Sequence, residues 1–193
     1  RATRAQLAVS PAARLAQLSL NRKRIARLVQ GRIEERYVVV NAASYELEAV
    51  ERYQVERRHR VIVGKPSRET PEVTAVIKGL NFFPYWRVPM SIAAKDIIPR
   101  LVQEPEYLQK EHIRAVSKTF DGPEIDVSQI DWRTADPELI KFRQDPGPWN
   151  ALGLVRIDMP NEHIVYMHDT PMKPLFEQRY RAFSAGCVRV QNV

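Results

Sequence analysis

Short β-branched runs separated by turns are the sequence feature that most restricts how this chain can fold. The strand-like runs are residues 37–40, 45–50, 55–63, 153–159 and 163–168. Residues 41–44 and the pair Pro160-Asn161 provide short turns between consecutive runs. Strands joined by short turns pair antiparallel, because parallel neighbours need a crossover of about a dozen residues or more. We therefore predict an α+β fold in which antiparallel strands dominate.

An N-terminal helix is predicted over residues 11–30. Ser10 is a typical N-cap before Pro11, and Gly31 is a typical helix stop. A rough apolar stripe along this helix consists of Leu15, Leu18, Ile25, Leu28 and Val29.

The middle of the chain has a weaker pattern. Residues 73–88 predict a strand that ends in an aromatic patch. Residues 90–118 predict helix in two pieces, divided at Pro99 and resumed after Pro105. Residues 119–150 are rich in Asp, Pro and Gly, which predicts an irregular insertion.

The composition is that of a folded, basic chain. Hydrophobic residues make up 44% and charged residues 27% of 193 residues, a globular balance. The net charge of +7 favours anionic partners. The basic clusters at 22–27 and 57–60 match no nucleic-acid-binding module, so no nucleic-acid partner is predicted. The chain begins at Arg1 without a targeting segment, and we interpret it as a fragment of a longer or processed protein.

No metal or cofactor is predicted from the histidines. His163 and His168 lie on one predicted strand at an odd separation, which places them on opposite faces. His59 and His112 lie in charged surroundings that are typical of the surface. No Cys and His spacing typical of zinc is present.

Cys187 is the single cysteine, so an internal disulfide is excluded. Gly186 permits a sharp turn that presents the sulfur, and backbone N–H groups at such a turn can stabilise an oxyanion. A thiol needs a base or a positive neighbour to react at neutral pH, and His168 is a candidate base. From the residues alone, Cys187 is either a nucleophile or a buried structural thiol.

The segment Ser184-Ala185-Gly186-Cys187-Val188-Arg189, with His168 before it and Asn192 after it, resembles the signature of YkuD-type L,D-transpeptidases. Ala185 departs from the pattern, which usually has His there, but the scaffold-bearing YcbB-like branch does not require that His. Other segments that resemble this branch are residues 37–41, 63–66, 86–89, 97–100, 146–153 and 166–171. The resemblance covers about residues 31–193.

The resemblance implies an exported enzyme of the periplasm or cell envelope that remodels peptidoglycan. The implied donor is a stem tetrapeptide: the Cys187 thiolate attacks its third-residue carbonyl, and the terminal D-Ala leaves. An acceptor amine then takes the acyl group from the thioester and crosslinks two third residues. The acceptor stays open between a stem peptide, a lipoprotein and water. Carbapenem-type inhibitors are implied ligands, and no cofactor is implied.

Catalytic roles are implied for four residues. Cys187 is the nucleophile, and His168 either takes the thiol proton or holds an ion pair with the thiolate. The N–H groups of Gly186 and Cys187 form the oxyanion hole, with the Tyr166 hydroxyl as a third donor. A backbone carbonyl is implied as the acceptor from the other imidazole nitrogen.

Substrate binding is implied for Arg189, Ser184 and Trp86. Arg189 would support the loop or receive the donor's carboxylate, and Trp86 would line the donor groove.

The resemblance also implies a domain arrangement. Residues 1–31 would be an N-terminal helix belonging to a scaffold or linker, and residues 32–193 the catalytic domain. Within it, about 101–145 would be a mostly helical insertion that caps the cleft. Two other functions stay open: a non-catalytic wall-binding or interaction module of the same fold, and an L,D-carboxypeptidase that hydrolyses the same thioester.

Overall fold

The computed structural model describes residues 10–29 and 34–193, without the side chains of residues 27–29. The described residues divide into two units. The first contains residues 10–29, 34–39 and 49–56, and the second contains residues 40–48 and 57–193. Among the described residues, none of the helices combines the length and apolar character that a membrane crossing needs.

Helix α1 (Pro11–Val29) of the first unit confirms the predicted N-terminal helix. Ser10 caps it: its hydroxyl accepts from the Ala13 N–H at 3.2 Å, and its carbonyl accepts from the Arg14 N–H at 2.9 Å. The exposed members of the predicted apolar stripe are Leu15, Leu18 and Ile25. The side chains of Leu28 and Val29, and the predicted stop at Gly31, lie outside the described residues.

The remaining elements are short. The strands are β1 (Arg36–Asn41), β2 (Glu46–Glu51), β3 (Gln54–Gly64), β4 (Gly79–Phe82), β5 (Trp86–Arg87), β6 (Ile113–Ser117), β7 (Ile140–Gln144), β8 (Val155–Asp158), β9 (Met167–His168), β10 (Ala182–Ser184) and β11 (Val188–Val190). The helices are α2 (Met90–Ile92), α3 (Ile98–Leu101) and α4 (Tyr107–Lys110), with π-helical residues Ala93–Ile97 between α2 and α3. Two 3₁₀ turns lie at Val127–Gln129 and Lys173–Glu177.

The main sheet of the second unit contains the strands in the order β3-β11-β9-β8-β4. Pairs β3–β11, β9–β8 and β8–β4 are antiparallel, which confirms the predicted mainly antiparallel α+β fold. Strand β10 pairs parallel with β3, and β9 pairs parallel with β11. The parallel pair β9–β11 brings the segments of His168 and Cys187 side by side.

A second sheet, β5-β7-β6, has a hydrophobic core of its own. Its core residues are Val88, Ala93, Ile97, Ile98, Leu101, Leu108, Ile113, Ala115, Trp132, Ile140 and Phe142. The prediction of a mostly helical insertion is therefore wrong, since β6 lies in the predicted helix and β7 in the predicted irregular segment. Both strands are short, and burial of three residues in each outweighs weak local preference.

Two predicted strands are shorter than expected. Residues 71–78 contain no regular strand, so only β4 and β5 remain of the run predicted over 73–88. The run predicted over 163–168 is reduced to β9, because Asn161 bonds the backbone groups that a longer strand would need. Its amide oxygen accepts from the N–H groups of His163 and Val165, and its amide nitrogen donates to the Val165 carbonyl.

Candidate active site

Cys187 lies at a tight turn between β10 and β11. Gly186 in this turn has φ of +123°, a conformation that only glycine adopts without strain. The Ser184 hydroxyl closes the turn: it accepts from the Gly186 N–H at 3.1 Å and donates to the Cys187 carbonyl at 2.6 Å. Among the described residues, no acceptor bonds the Cys187 N–H. The turn thus offers one free amide next to the sulfur.

This geometry differs from two roles implied by the sequence. The Gly186 N–H is engaged by Ser184, so the Cys187 N–H alone is free to meet an oxyanion. Ser184 is 3% exposed, and its hydroxyl already makes two bonds within the turn. Ser184 therefore shapes the turn, and its only hydroxyl proton is used there.

His168 is buried at the end of β9 with one ring nitrogen fixed. Its Nδ1 lies 2.5 Å from the carbonyl oxygen of Asp169. Because a carbonyl can only accept, Nδ1 carries the proton and Nε2 of the neutral ring is left unprotonated. Burial first, and then the charges of Arg189 and Arg156, together lower the pKa of His168 to about 4. The imidazole is therefore neutral at pH 7, with Nε2 able to accept a proton.

The Asp169 carbonyl is kept in place because the side chain of the same residue is anchored. The carboxylate accepts from the Leu154 N–H at 3.1 Å and from the Lys173 ammonium. Burial acts to raise the pKa of Asp169, but these donors lower it overall. Gly153 makes this packing fit, since its φ is +62° and a Cβ there would lie 2.5 Å from the carboxylate.

Tyr166 links the sulfur to the imidazole. Its ring centroid lies 5.6 Å from that of His168, and its hydroxyl and backbone N–H both face the Cys187 sulfur. The pKa of Tyr166 is raised, first by burial and then by Cys187, so its hydroxyl stays protonated as a donor. Trp86 contacts the same hydroxyl. The structure thus brings Cys187, Tyr166, His168 and Trp86 together.

The thiol and the imidazole are both uncharged at rest. Burial raises the pKa of Cys187 more than Tyr166 and Arg189 lower it. No hydrogen bond joins Cys187 to His168 in the described part of the chain. These pKa directions favour removal of the thiol proton over a resting ion pair as the role of His168.

Two arginines stand beside His168 across the sheet. Arg156 of β8 and Arg189 of β11 are both direct partners of His168 in β9. Arg156 is paired with Asp158 at 2.6 Å, whereas Arg189 has no carboxylate partner among the described residues. The Arg189 Nε is buried without a hydrogen bond, and burial lowers the pKa of this guanidinium. Arg189 is therefore an available cation beside the imidazole.

Sequence reasoning did not find Arg156 or the carboxylate of Asp169. Arg156 could have been found from its position two residues before Asp158 in a predicted strand, which places both side chains on one face. Across residues 10–29 and 34–193, no group of three or more His, Cys, Asp or Glu side chains is arranged to hold a metal ion.

Comparison with known proteins gives the family. The family model for the L,D-transpeptidase catalytic domain matches residues 35–193. A Haemophilus influenzae protein named "Putative L,D-transpeptidase" is 32% identical over 156 residues, which cover 80% of this chain. This chain spans 31% of the length of that relative. The chain therefore belongs to the family of L,D-transpeptidase catalytic domains.

One solved structure is also similar. An L,D-transpeptidase from Mycobacterium smegmatis is 17% identical, with a TM-score of 0.35, over 82% of this chain and 50% of that one.

Proposed function

We propose that this chain is the catalytic domain of a peptidoglycan L,D-transpeptidase that uses Cys187 as its nucleophile. The observation that carries the proposal is the grouping of the Cys187 sulfur, a free amide, the Tyr166 hydroxyl and a neutral imidazole at one end of β9 and β11. Family membership supports acyl transfer as the chemistry.

In the first half-reaction, the Cys187 thiol gives its proton to Nε2 of His168. The sulfur attacks the third-residue carbonyl of the donor tetrapeptide, so that a C–S bond forms and charge develops on the carbonyl oxygen. The Cys187 N–H and the Tyr166 hydroxyl donate to that oxygen. Collapse then breaks the C–N bond to the terminal D-Ala, and the imidazolium returns its proton to the leaving amine.

Transfer of the thiol proton to the imidazole is by itself unfavourable, because the pKa of Cys187 is raised and that of His168 is lowered. A donor carboxylate bound by Arg189 would offset part of the positive charge that lowers the pKa of His168. Binding of the donor would therefore make the imidazole a better base. This gives the unpaired guanidinium of Arg189 both a binding and an activating role.

In the second half-reaction, an acceptor amine attacks the thioester. A C–N bond forms, the C–S bond breaks, and the proton of the amine passes through His168 to the sulfur. The product is a crosslink between two third residues. We propose that Trp86 lines the donor groove and that the β5-β7-β6 subdomain caps the cleft.

Incubation of the purified chain with disaccharide tetrapeptides tests the proposal. Mass spectrometry is expected to find crosslinked dimers and free D-Ala. Tripeptide without dimer would identify a carboxypeptidase, and unchanged tetrapeptide with a folded chain would favour a wall-binding module. Cys187→Ser is the matched control, since it keeps the turn and removes the thiol.

Intact-mass analysis with a carbapenem tests the nucleophile directly. One adduct is expected on the wild-type chain and none on Cys187→Ser. An adduct on both would place the reactive group elsewhere.

We also propose that the protein acts in the periplasm or cell envelope, where peptidoglycan is accessible. Fractionation of the native host with an antibody to this chain tests this. Recovery of the protein in the cytosolic fraction alone would contradict it.

A further inference from the structure

The loop that follows β3 reaches the Cys187 turn through one hydroxyl group. Thr70 Oγ1 donates to the Gly186 carbonyl at 2.8 Å and accepts from the Gly64 N–H at 2.9 Å. The Lys65 N–H donates to the Ser184 carbonyl at 3.0 Å. The loop is therefore bonded to the turn at two points.

The position of Thr70 is itself closely fixed. A Cβ at Gly64 would lie 2.2 Å from the Arg68 carbonyl oxygen and 2.6 Å from the Thr70 nitrogen, so the loop folds back here because residue 64 is glycine. The Arg68 guanidinium forms two bonds to the Asp96 carboxylate, at 2.5 Å and 2.8 Å. This pair anchors the loop to the helical segment after α2.

The bond from Thr70 determines the direction of an amide that is otherwise free. In a planar trans peptide, the C=O and N–H groups point in opposite directions. Thr70 holds the Gly186 C=O, so the Cys187 N–H of the same peptide points to the other side. Among the described residues, Thr70 alone bonds the Gly186 carbonyl.

We propose that Thr70 is a positioning residue that aims the Cys187 N–H at the oxyanion formed during acyl transfer. The inference rests on the proposed function, because it assumes that Cys187 is acylated. Thr70 acts through the Gly186–Cys187 peptide and need not touch the substrate. Without the hydroxyl, this peptide loses the bond that holds its orientation.

Two reactions of the same sulfur separate this role from a merely structural one. Acylation by a carbapenem passes through a tetrahedral oxyanion, whereas alkylation by iodoacetamide is a displacement at carbon without one. Thr70→Val has nearly the same shape and lacks the hydroxyl, and Thr70→Ser keeps it. We expect Thr70→Val to slow acylation by about tenfold or more, since loss of a whole oxyanion donor costs roughly 100- to 1,000-fold. Alkylation should stay within about twofold, and Thr70→Ser should retain most of the acylation rate.

Thr134→Val is the matched control. The Thr134 hydroxyl makes the same kind of bond, to the Asp131 carbonyl at 3.2 Å, at an exposed position in the β5-β7-β6 subdomain. Both rates should match the wild type in this variant. Thr70→Ala is a second variant without the hydroxyl, and it replaces Thr70→Val if that chain does not fold.

Equal acylation by wild type and both hydroxyl-free variants would overturn the inference. A parallel loss of acylation and alkylation would also overturn it, because that pattern reports a disturbed thiol. Loss of acylation in Thr70→Ser would overturn the inference as well, because this variant keeps the hydroxyl. A wild-type chain that is not acylated at Cys187 would instead contradict the proposed function.

Discussion

Arg189 and His168 are direct partners across the parallel strands β11 and β9. The Arg189 side chain is partly buried, with its Nε fully buried, and it has no carboxylate partner among the described residues, so its charge acts on the imidazole with reduced screening. Arg156, on the other side of His168, has its charge offset by Asp158. This asymmetry leads to the first prediction.

Arg189→Met should raise the pKa of His168 above its value of about 4, because it removes the stronger of the two positive charges. Arg156→Met should raise it less. The imidazole ¹⁵N shifts during a pH titration measure the pKa, with the other three histidines as internal references. A larger effect from Arg156→Met would contradict this account of the charges.

The stability of the fold should depend on pH through His168. Its ordinary pKa of 6.5 falls to about 4 on folding, so the unfolded chain binds more protons between these values. The folded state with a neutral His168 is therefore fully stable above about pH 6.5, and it loses stability as the pH falls from 6.5 towards 4. From pH 7 to pH 5, the wild type should lose roughly 2 kcal/mol more than His168→Asn does. Urea unfolding at both pH values measures this, and equal losses in the two chains would contradict the buried neutral imidazole.

Gly153→Ala should destabilise the chain by about 2 kcal/mol or more, because the new Cβ meets the Asp169 carboxylate at a positive φ. Displacement of Asp169 should also move the carbonyl that bonds His168, so carbapenem acylation should slow. Gly79→Ala is the control, since nothing lies within 4 Å of a Cβ at that position. Thermal unfolding and the acylation rate report the two effects, and similar behaviour of the two variants would exclude the proposed packing.

Tyr166→Phe should slow carbapenem acylation by about tenfold, because it removes a donor to the oxyanion and keeps the ring. The hydroxyl of Tyr166 also lowers the pKa of the Cys187 thiol, so alkylation by iodoacetamide should move to higher pH in the variant. Pseudo-first-order rates across pH 6 to about 10 measure both changes. An unchanged acylation rate would remove Tyr166 from the oxyanion site.

The sequence predicted β3 and β8, whose β-branched residues favour strands, and it placed β9 at the end of a longer predicted run. It did not predict β6 and β7, each of which has five residues, three of them buried. Those strands form because the core around Phe142 buries them, a tertiary effect that no short window contains.

The site was predictable where the motif names the residue and not where contacts determine its role. Tyr166 lies beside both His168 and Cys187, and the catalytic roles that the motif implies for these three residues stay predictions. The role of Ser184 depends on where its hydroxyl points. The role of Thr70 depends on a loop that folds back onto the Cys187 turn, although Thr70 and Gly186 are 116 residues apart in the chain. Neither relation leaves a local pattern.

The chain enters the subdomain built on β5, β7 and β6 near Trp86 and leaves it near Gln144. These two residues are paired across the sheet, so the entry and exit points lie side by side. Its interior is formed by its own residues from Val88 to Phe142. The loops of such a subdomain can change in length or chemistry while the strands that carry the thiol and the imidazole keep their register. Under the proposed function, the loops of this subdomain are the place where the range of accepted peptides can change while the reactive centre is kept.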